Sequence, residues 1–173
     1  MDINPVPYQW TTRDKLLYFA ILIPFMVAFF GSLYLLGTIS IYLSLFLIVL
    51  YLGVIVFQAG CCVGCPYQGK FCPALFGIYP ANFLSTRLYA GRKHDPRFFQ
   101  NNATIAEVFV IVMVLFTGFW LWTLKWWYAM VMLLLIADHM VSFLVLICPK
   151  CGYNQTCPAG KVSCKLFARH LSR

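Results

Sequence analysis

Between Lys15 and Lys70 the chain carries no charged residue, an unbroken run of 54 positions from Leu16 to Gly69. Soluble chains are roughly a quarter charged, whereas only 10% of this one is. A bilayer core takes about 20 apolar residues per helix, so the run holds two spans. A second apolar stretch, 104–147, is interrupted only by Glu107, Lys125 and Asp138 and holds two more. The expected fold class is an all-α integral membrane protein with four transmembrane helices.

The spans are expected at about 16–36, 41–60, 104–123 and 126–147, with turns at 37–40 and 123–127. Pro24 is expected to kink the first. That first run is too long for a signal-peptide core and has no small-residue cleavage pattern behind it, so it reads as a retained span. Trp120, Trp122, Trp126 and Trp127 make an aromatic belt at one water interface.

Two short turns place the N-terminus, the segment 61–103 and the C-terminus on one side. Of the 13 Lys and Arg, only Lys125 lies opposite. The positive-inside rule makes the basic side cytoplasmic, in a cell membrane, with both termini there. The net charge of +8 then reports orientation and attraction to anionic lipid, and no nucleic-acid partner is expected. The chain divides into a cytoplasmic N-terminal segment (1–15), a first hairpin (16–60), a cysteine module with an interfacial segment (61–103), a second hairpin (104–147), and a second cysteine module with a basic tail (148–173). Within 80–100, Phe83, Leu84, Leu88 and Tyr89 form one apolar face with Arg87, Arg92 and Lys93 at its rim. This reads either as a short helix lying on the cytoplasmic leaflet or as an ordered polar connector.

The eight cysteines fall in two groups: Cys61, Cys62, Cys65, Cys72 and Cys148, Cys151, Cys157, Cys164. Cys62 and Cys65 precede Cys148 and Cys151 by 86 positions. Both modules read Cys-x-x-Cys-x-Tyr, then a short gap, then Cys-Pro-Ala. The offset also carries the first span onto the third. The chain therefore reads as two duplicated hairpins, each followed by a cytoplasmic cysteine module. A parallel repeat of this kind has its pseudo-two-fold axis along the membrane normal. The fourth cysteine differs between copies: Cys61 precedes the first module and Cys164 follows the second. It is supplied within its own module or exchanged between modules.

Disulfides are disfavoured on a reducing cytosolic side, and buried thiols that only fill space belong inside spans. Metal binding remains, and four plus four cysteines suit two S4 sites. Zinc ribbons pair two Cys-x-x-Cys knuckles, and each module here has one. Widely spaced cysteines followed by proline match iron–sulfur ligation in style. The expectation is two [4Fe-4S] clusters, with two Zn as the alternative. Gly60, Gly64, Gly69, Gly152 and Gly160 are expected to let the chain wrap the clusters. Lys70, Lys150 and Lys161 are expected to offset thiolate charge.

Asp138 and His139 lie within the fourth span, and an intramembrane ionisable pair marks a functional site by default. The pair reads either as a proton- or quinone-handling site or as helix glue bonded to Thr38, Ser40 or Ser44. Glu107, at the start of the third span, reads as a surface pair with Arg97 or as a proton entry point. No nucleophile–base set or nucleotide fingerprint occurs, so an electron-transfer protein is expected rather than a stand-alone enzyme. It would connect a soluble donor, steered as an acidic redox protein by the basic face, to a quinone or a membrane redox subunit. The alternatives are a zinc-stabilised docking protein and a thiolate-based metal transporter or sensor.

Overall fold

The structure is a computed structural model that describes residues 8–65, 67–93, 95–151 and 158–167. Six helices order the chain: α1 (Thr12–Ile39), α2 (Ile41–Cys61), α3 (Pro80–Leu88), α4 (Pro96–Leu124), α5 (Trp126–Leu146) and α6 (Pro158–Phe167). No strand occurs among the described residues. Four of the helices, α1, α2, α4 and α5, are long and apolar enough to cross a membrane.

The junctions within the hairpins are shorter than the sequence suggests. Helix α1 runs on to Ile39, and Ser40 alone breaks it from α2. Ser40 is extended at φ −161°, ψ 133°, and its hydroxyl accepts the Tyr42 N–H. A serine at that place satisfies one orphan donor of the next helix, so the turn needs no further residues. Lys125 makes the matching break between α4 and α5 at φ −158°, ψ 128°. Gly37, expected in the turn, is instead a helical residue against the Ser44 hydroxyl.

Helix α4 also starts earlier than its apolar run. Asp95 caps it by accepting the Arg97 N–H, and Pro96 takes the first position, where proline loses nothing. The expected single surface element over 80–100 is therefore two: α3 ends at Leu88 and Pro96 opens α4.

Helix length then decides where the chain leaves the bilayer. Helices α2 and α5 have 21 residues each, about 31 Å at 1.5 Å per residue, which matches a hydrocarbon core of about 30 Å. Helices α1 and α4 have 28 and 29 residues, about 42 Å. Since each long helix shares its junction with a short one, the surplus turns all emerge at the other end. They stand as a wall around the cysteine-bearing loops.

The spans form a ring in which α2 packs most extensively on α4 and α1 on α5, closed by the two hairpin contacts. Polar side chains turn inward: Ser32, Ser44, Asn102, Thr117 and His139 are buried, while Leu16, Tyr34, Leu115 and Leu134 are among the most exposed apolar residues. This is the reverse of a water-soluble helix bundle and suits a lipid surround. Helix α3 repeats the pattern, burying Ala81, Asn82 and Ser85 and exposing Phe83 and Leu88. In α6, Ser163 is buried while Val162 and Leu166 are exposed.

The α2–α4 seam depends on small residues. A Cβ on Gly53 would overlap the Phe109 ring, and one on Gly60 would overlap the Asn102 side chain. Gly60 is thus a helix-packing residue, not the loop-wrapping one expected. Gly53→Ala should destabilise the protein by about 1–3 kcal/mol through overpacking, and Phe109→Leu in that background should restore most of the loss. Thermal unfolding in detergent reads this; an unchanged midpoint for Gly53→Ala would contradict the close packing.

Candidate functional site

The cysteine end is built on the emergent turns of α1 and α4. Cys61 closes α2 and is buried, with its thiol donating toward the carbonyls of Phe57 at 3.7 Å and Phe99 at 3.8 Å. Cys62 follows as the helix cap. Its N–H returns to the Ala59 carbonyl and its own carbonyl accepts the Cys65 N–H at 3.2 Å. Cys65 then accepts the Gln68 N–H at 2.8 Å. Gly64 at φ 71° and Gly69 at φ 74° provide the left-handed steps of this loop, as the sequence suggests.

The second module begins where α5 ends. Cys148 is buried in the main core cluster, and its carbonyl accepts the Cys151 N–H at 3.2 Å. Helix α6, carrying Cys164, packs on α5 and on the Cys148–Lys150 turn. The Ser163 hydroxyl fastens it by donating to the Leu144 carbonyl at 2.6 Å. Cys157 and Gly152 lie outside the described residues, and Gly160 is helical. Among the described residues no three His, Cys, Asp or Glu side chains are gathered closely enough to hold one metal ion. The Cys62 thiol is pushed up to about 12, first by burial and then by the neighbouring Cys65 and Cys61.

A chain of polar contacts joins the two cysteine-bearing segments through the start of α1. The Tyr8 N–H donates to the Tyr67 hydroxyl at 2.6 Å, next to the first Cys-x-x-Cys. The Tyr8 hydroxyl donates to Asp14 Oδ2 at 3.0 Å, and Lys150 of the second module donates to Asp14 Oδ1 at 2.7 Å. Thr11 and Asp14 form a reciprocal capping box that fixes the carboxylate. Lys150, expected to offset thiolate charge, is already paired with Asp14 in the only ion pair among the described residues. Glu107 accordingly makes no pair with Arg97.

Sequence reasoning did not find Tyr8, Asp14 or Asn82, and it placed Tyr67 in the repeated Cys-x-x-Cys-x-Tyr pattern without a role. The Thr11-x-x-Asp14 spacing was a usable signal, since it is a capping-box pattern just before an apolar run. Nothing in the sequence singles out Asn82. It is buried, and its amide nitrogen donates to the carbonyls of Tyr67 and Lys70, pinning the loop between Cys65 and Cys72.

Beyond Cys72 the chain turns into the end of the bundle. Phe76, at φ 59°, and Ile78 join the buried cluster of Tyr18, Phe25 and Phe143. Three span side chains bond this irregular backbone. The Tyr18 hydroxyl donates to the Ala74 carbonyl at 2.9 Å, the Tyr51 hydroxyl donates to the Phe76 carbonyl at 3.0 Å, and the Phe76 N–H donates to His139 Nε2 at 3.1 Å. His139 Nδ1 lies 2.8 Å from the Ile21 carbonyl. A carbonyl only accepts and an amide only donates, so the ring is the neutral tautomer with its proton on Nδ1.

The structure separates Asp138 from His139. His139 is fully buried and Asp138 is exposed on the outer face of α5, because successive helix residues point about 100° apart. The expected glue partners are engaged elsewhere. Thr38 donates to Leu35, Ser44 donates to Leu33, and Ser40 caps α2.

These features define a class: an all-helical, multi-pass membrane protein with a cysteine-rich end. Compared with protein-family models, curated proteins and solved structures, the chain matches none.

Two outcomes follow from the geometry. His139→Leu should leave the Phe76 N–H without an acceptor and cost about 1–3 kcal/mol; Tyr51→Phe should cost less, about 1 kcal/mol. Thermal melts in detergent measure both, and equal small losses would show that the loop is not held this way. Thiolate is the reactive form of cysteine, so in metal-free native protein Cys62 should resist iodoacetamide from pH 7 to 10. Peptide mass spectrometry reads its labelling, and modification as fast as at a denatured cysteine would contradict the burial.

Proposed function

We propose that the protein is a membrane-bound iron–sulfur protein. Its two four-cysteine modules each hold a [4Fe-4S] cluster at the cytoplasmic face and move electrons between a soluble donor and a membrane carrier or partner subunit. One observation carries this reading: the Cys62–Cys65 and Cys148–Cys151 turns close with the same 3.2 Å bond. Each turn follows directly on the second helix of its hairpin. Two hairpins of 28 plus 21 and 29 plus 21 residues, broken at Ser40 and Lys125 in nearly the same extended conformation, support a duplicated unit. Duplication makes two sites of one kind, which cysteines used only as packing would not require.

The preference for a cluster over zinc rests on the sequence pattern, in which each module has one Cys-x-x-Cys and a further single cysteine followed by proline. Packing of α6 on the Cys148–Lys150 turn favours Cys164 as a ligand within its own module. When bound, such a cluster supplies one-electron exchange, tuned by hydrogen bonds to sulfur and by burial.

The chain's own residues then have plain tasks. The Gly64 and Gly69 turns and the Asn82 amide hold the first loop in shape. Tyr8, Asp14 and Lys150 hold the second module against the first. The exposed Arg87, Arg92, Lys93 and Arg97 steer an acidic donor.

Anaerobic purification tests the reading. About eight irons per chain and a broad visible band that bleaches with dithionite are expected, two four-iron clusters making eight. Cys65→Ser and Cys151→Ser should each remove about half of the iron, and Cys61→Ala should affect the first site alone. A colourless protein carrying zinc sinks electron transfer and leaves the docking reading. Loss of iron from both sites in Cys61→Ala would show ligands exchanged between modules.

A further inference from the structure

A partly open pocket of about 20 Å³ lies among the spans. Ser32 of α1 and Thr117 of α4 line it, with Ala28, Leu47, Met113 and Met132 among its apolar walls. Ser32 and Thr117 are each 4% exposed. Some helical hydroxyls in this chain turn back on a carbonyl three residues earlier, Thr38 on Leu35, Thr86 on Phe83 and Thr123 on Trp120, and others reach a carbonyl of another helix, Ser44 on Leu33 and Ser163 on Leu144. Ser32 and Thr117 make neither kind of bond among the described residues, and their oxygens are not among the fully sealed polar atoms that lack a partner. Two buried hydroxyls from the diagonal pair of helices thus line one small space.

We infer that this cavity is a hydration site, holding one water molecule that bridges Ser32 Oγ and Thr117 Oγ1. Three considerations select water. A water needs at least about 10–15 Å³ of such space and two to four polar partners, and the cavity meets the first and supplies two partners. A quinone ring is several times too large. An ion would meet no charged or carbonyl ligand in the lining.

The depth makes the site consequential. Ser32 and Thr117 each lie eight residues before the junctions at Ser40 and Lys125, about 12 Å into a core of about 30 Å. The water is the polar link between α1 and α4, which otherwise make few contacts. The lining positions also pair at one spacing: Ser32 with Thr117, Ala28 with Met113 and Leu47 with Met132 are each 85 residues apart. The inference itself rests on the cavity and its hydroxyls and does not depend on the iron–sulfur proposal.

Two measurements decide it, both on the full chain. A structure in lipid nanodiscs at better than about 2 Å should show one density peak within hydrogen-bond reach of both hydroxyls. An empty cavity, or the two hydroxyls bonded directly to each other, overturns the proposal. A double-mutant cycle with Ser32→Ala and Thr117→Val, read by reversible unfolding in mixed micelles, gives an independent readout. Each single change should lower the folded-to-unfolded ratio about three- to tenfold, and the double should lose little more than the larger single, because either change strands the same water. Strict additivity overturns the bridge. Xenon under pressure completes the test, since dry apolar cavities bind it: the double variant should take it up and the wild type should not. Xenon in the wild-type cavity would show the site to be dry.

Discussion

Irregular backbone placed inside an apolar bundle must have each polar group bonded by protein, since lipid offers no substitute. That requirement governs the segment between Cys72 and α3. Its Ala74 carbonyl, Phe76 amide and Phe76 carbonyl are bonded by Tyr18, His139 and Tyr51, one from each of three spans. His139 makes a second contact at the same time, reaching the Ile21 carbonyl of α1. A left-handed conformation at Phe76, costing about 1–3 kcal/mol in a non-glycine residue, persists because these bonds and the surrounding aromatic rings hold it. The position of the first cysteine loop follows from this anchorage, since Cys72 enters the same segment.

The second ordering principle is a mismatch of lengths. Two spans match the bilayer and two exceed it, and one-residue junctions leave no slack to absorb the difference. The surplus gathers at one end as the first turns of α1 and α4. Asp14, Phe99 and Asn102 are the residues of that surplus, and each touches the cysteine region: Asp14 through Lys150, Phe99 through the Cys61 thiol, and Asn102 through Gly60. The wall around the candidate site is thus a by-product of span length.

Much of this architecture is legible in the sequence. The charge-free run and the second apolar stretch locate four helices, because burying charge in hydrocarbon is prohibitive and the rule has few exceptions. The Asp95–Pro96 pair marks the true start of α4, but hydropathy alone hides it, since the added turns are polar. Treating Asp138 and His139 as a unit follows from their adjacency, whereas a helix sends neighbours to different faces; Met132, His139 and Phe143 are all buried on α5, and Asp138 lies off that stripe. The tie through Tyr8, Asp14 and Lys150 was out of reach, because it joins positions 136 residues apart with nothing local to announce it.

The anchorage of Phe76 also imposes an order on how the molecule is made. The first hairpin and the loop behind it leave the ribosome well before position 139 exists. Until α5 has entered the membrane, the Phe76 amide has no acceptor and the segment around it must stay in water. The first half can therefore insert by itself but cannot finish, and its irregular loop is seated only when the last span arrives. Synthesis of the second hairpin is in this sense the closing step for the first.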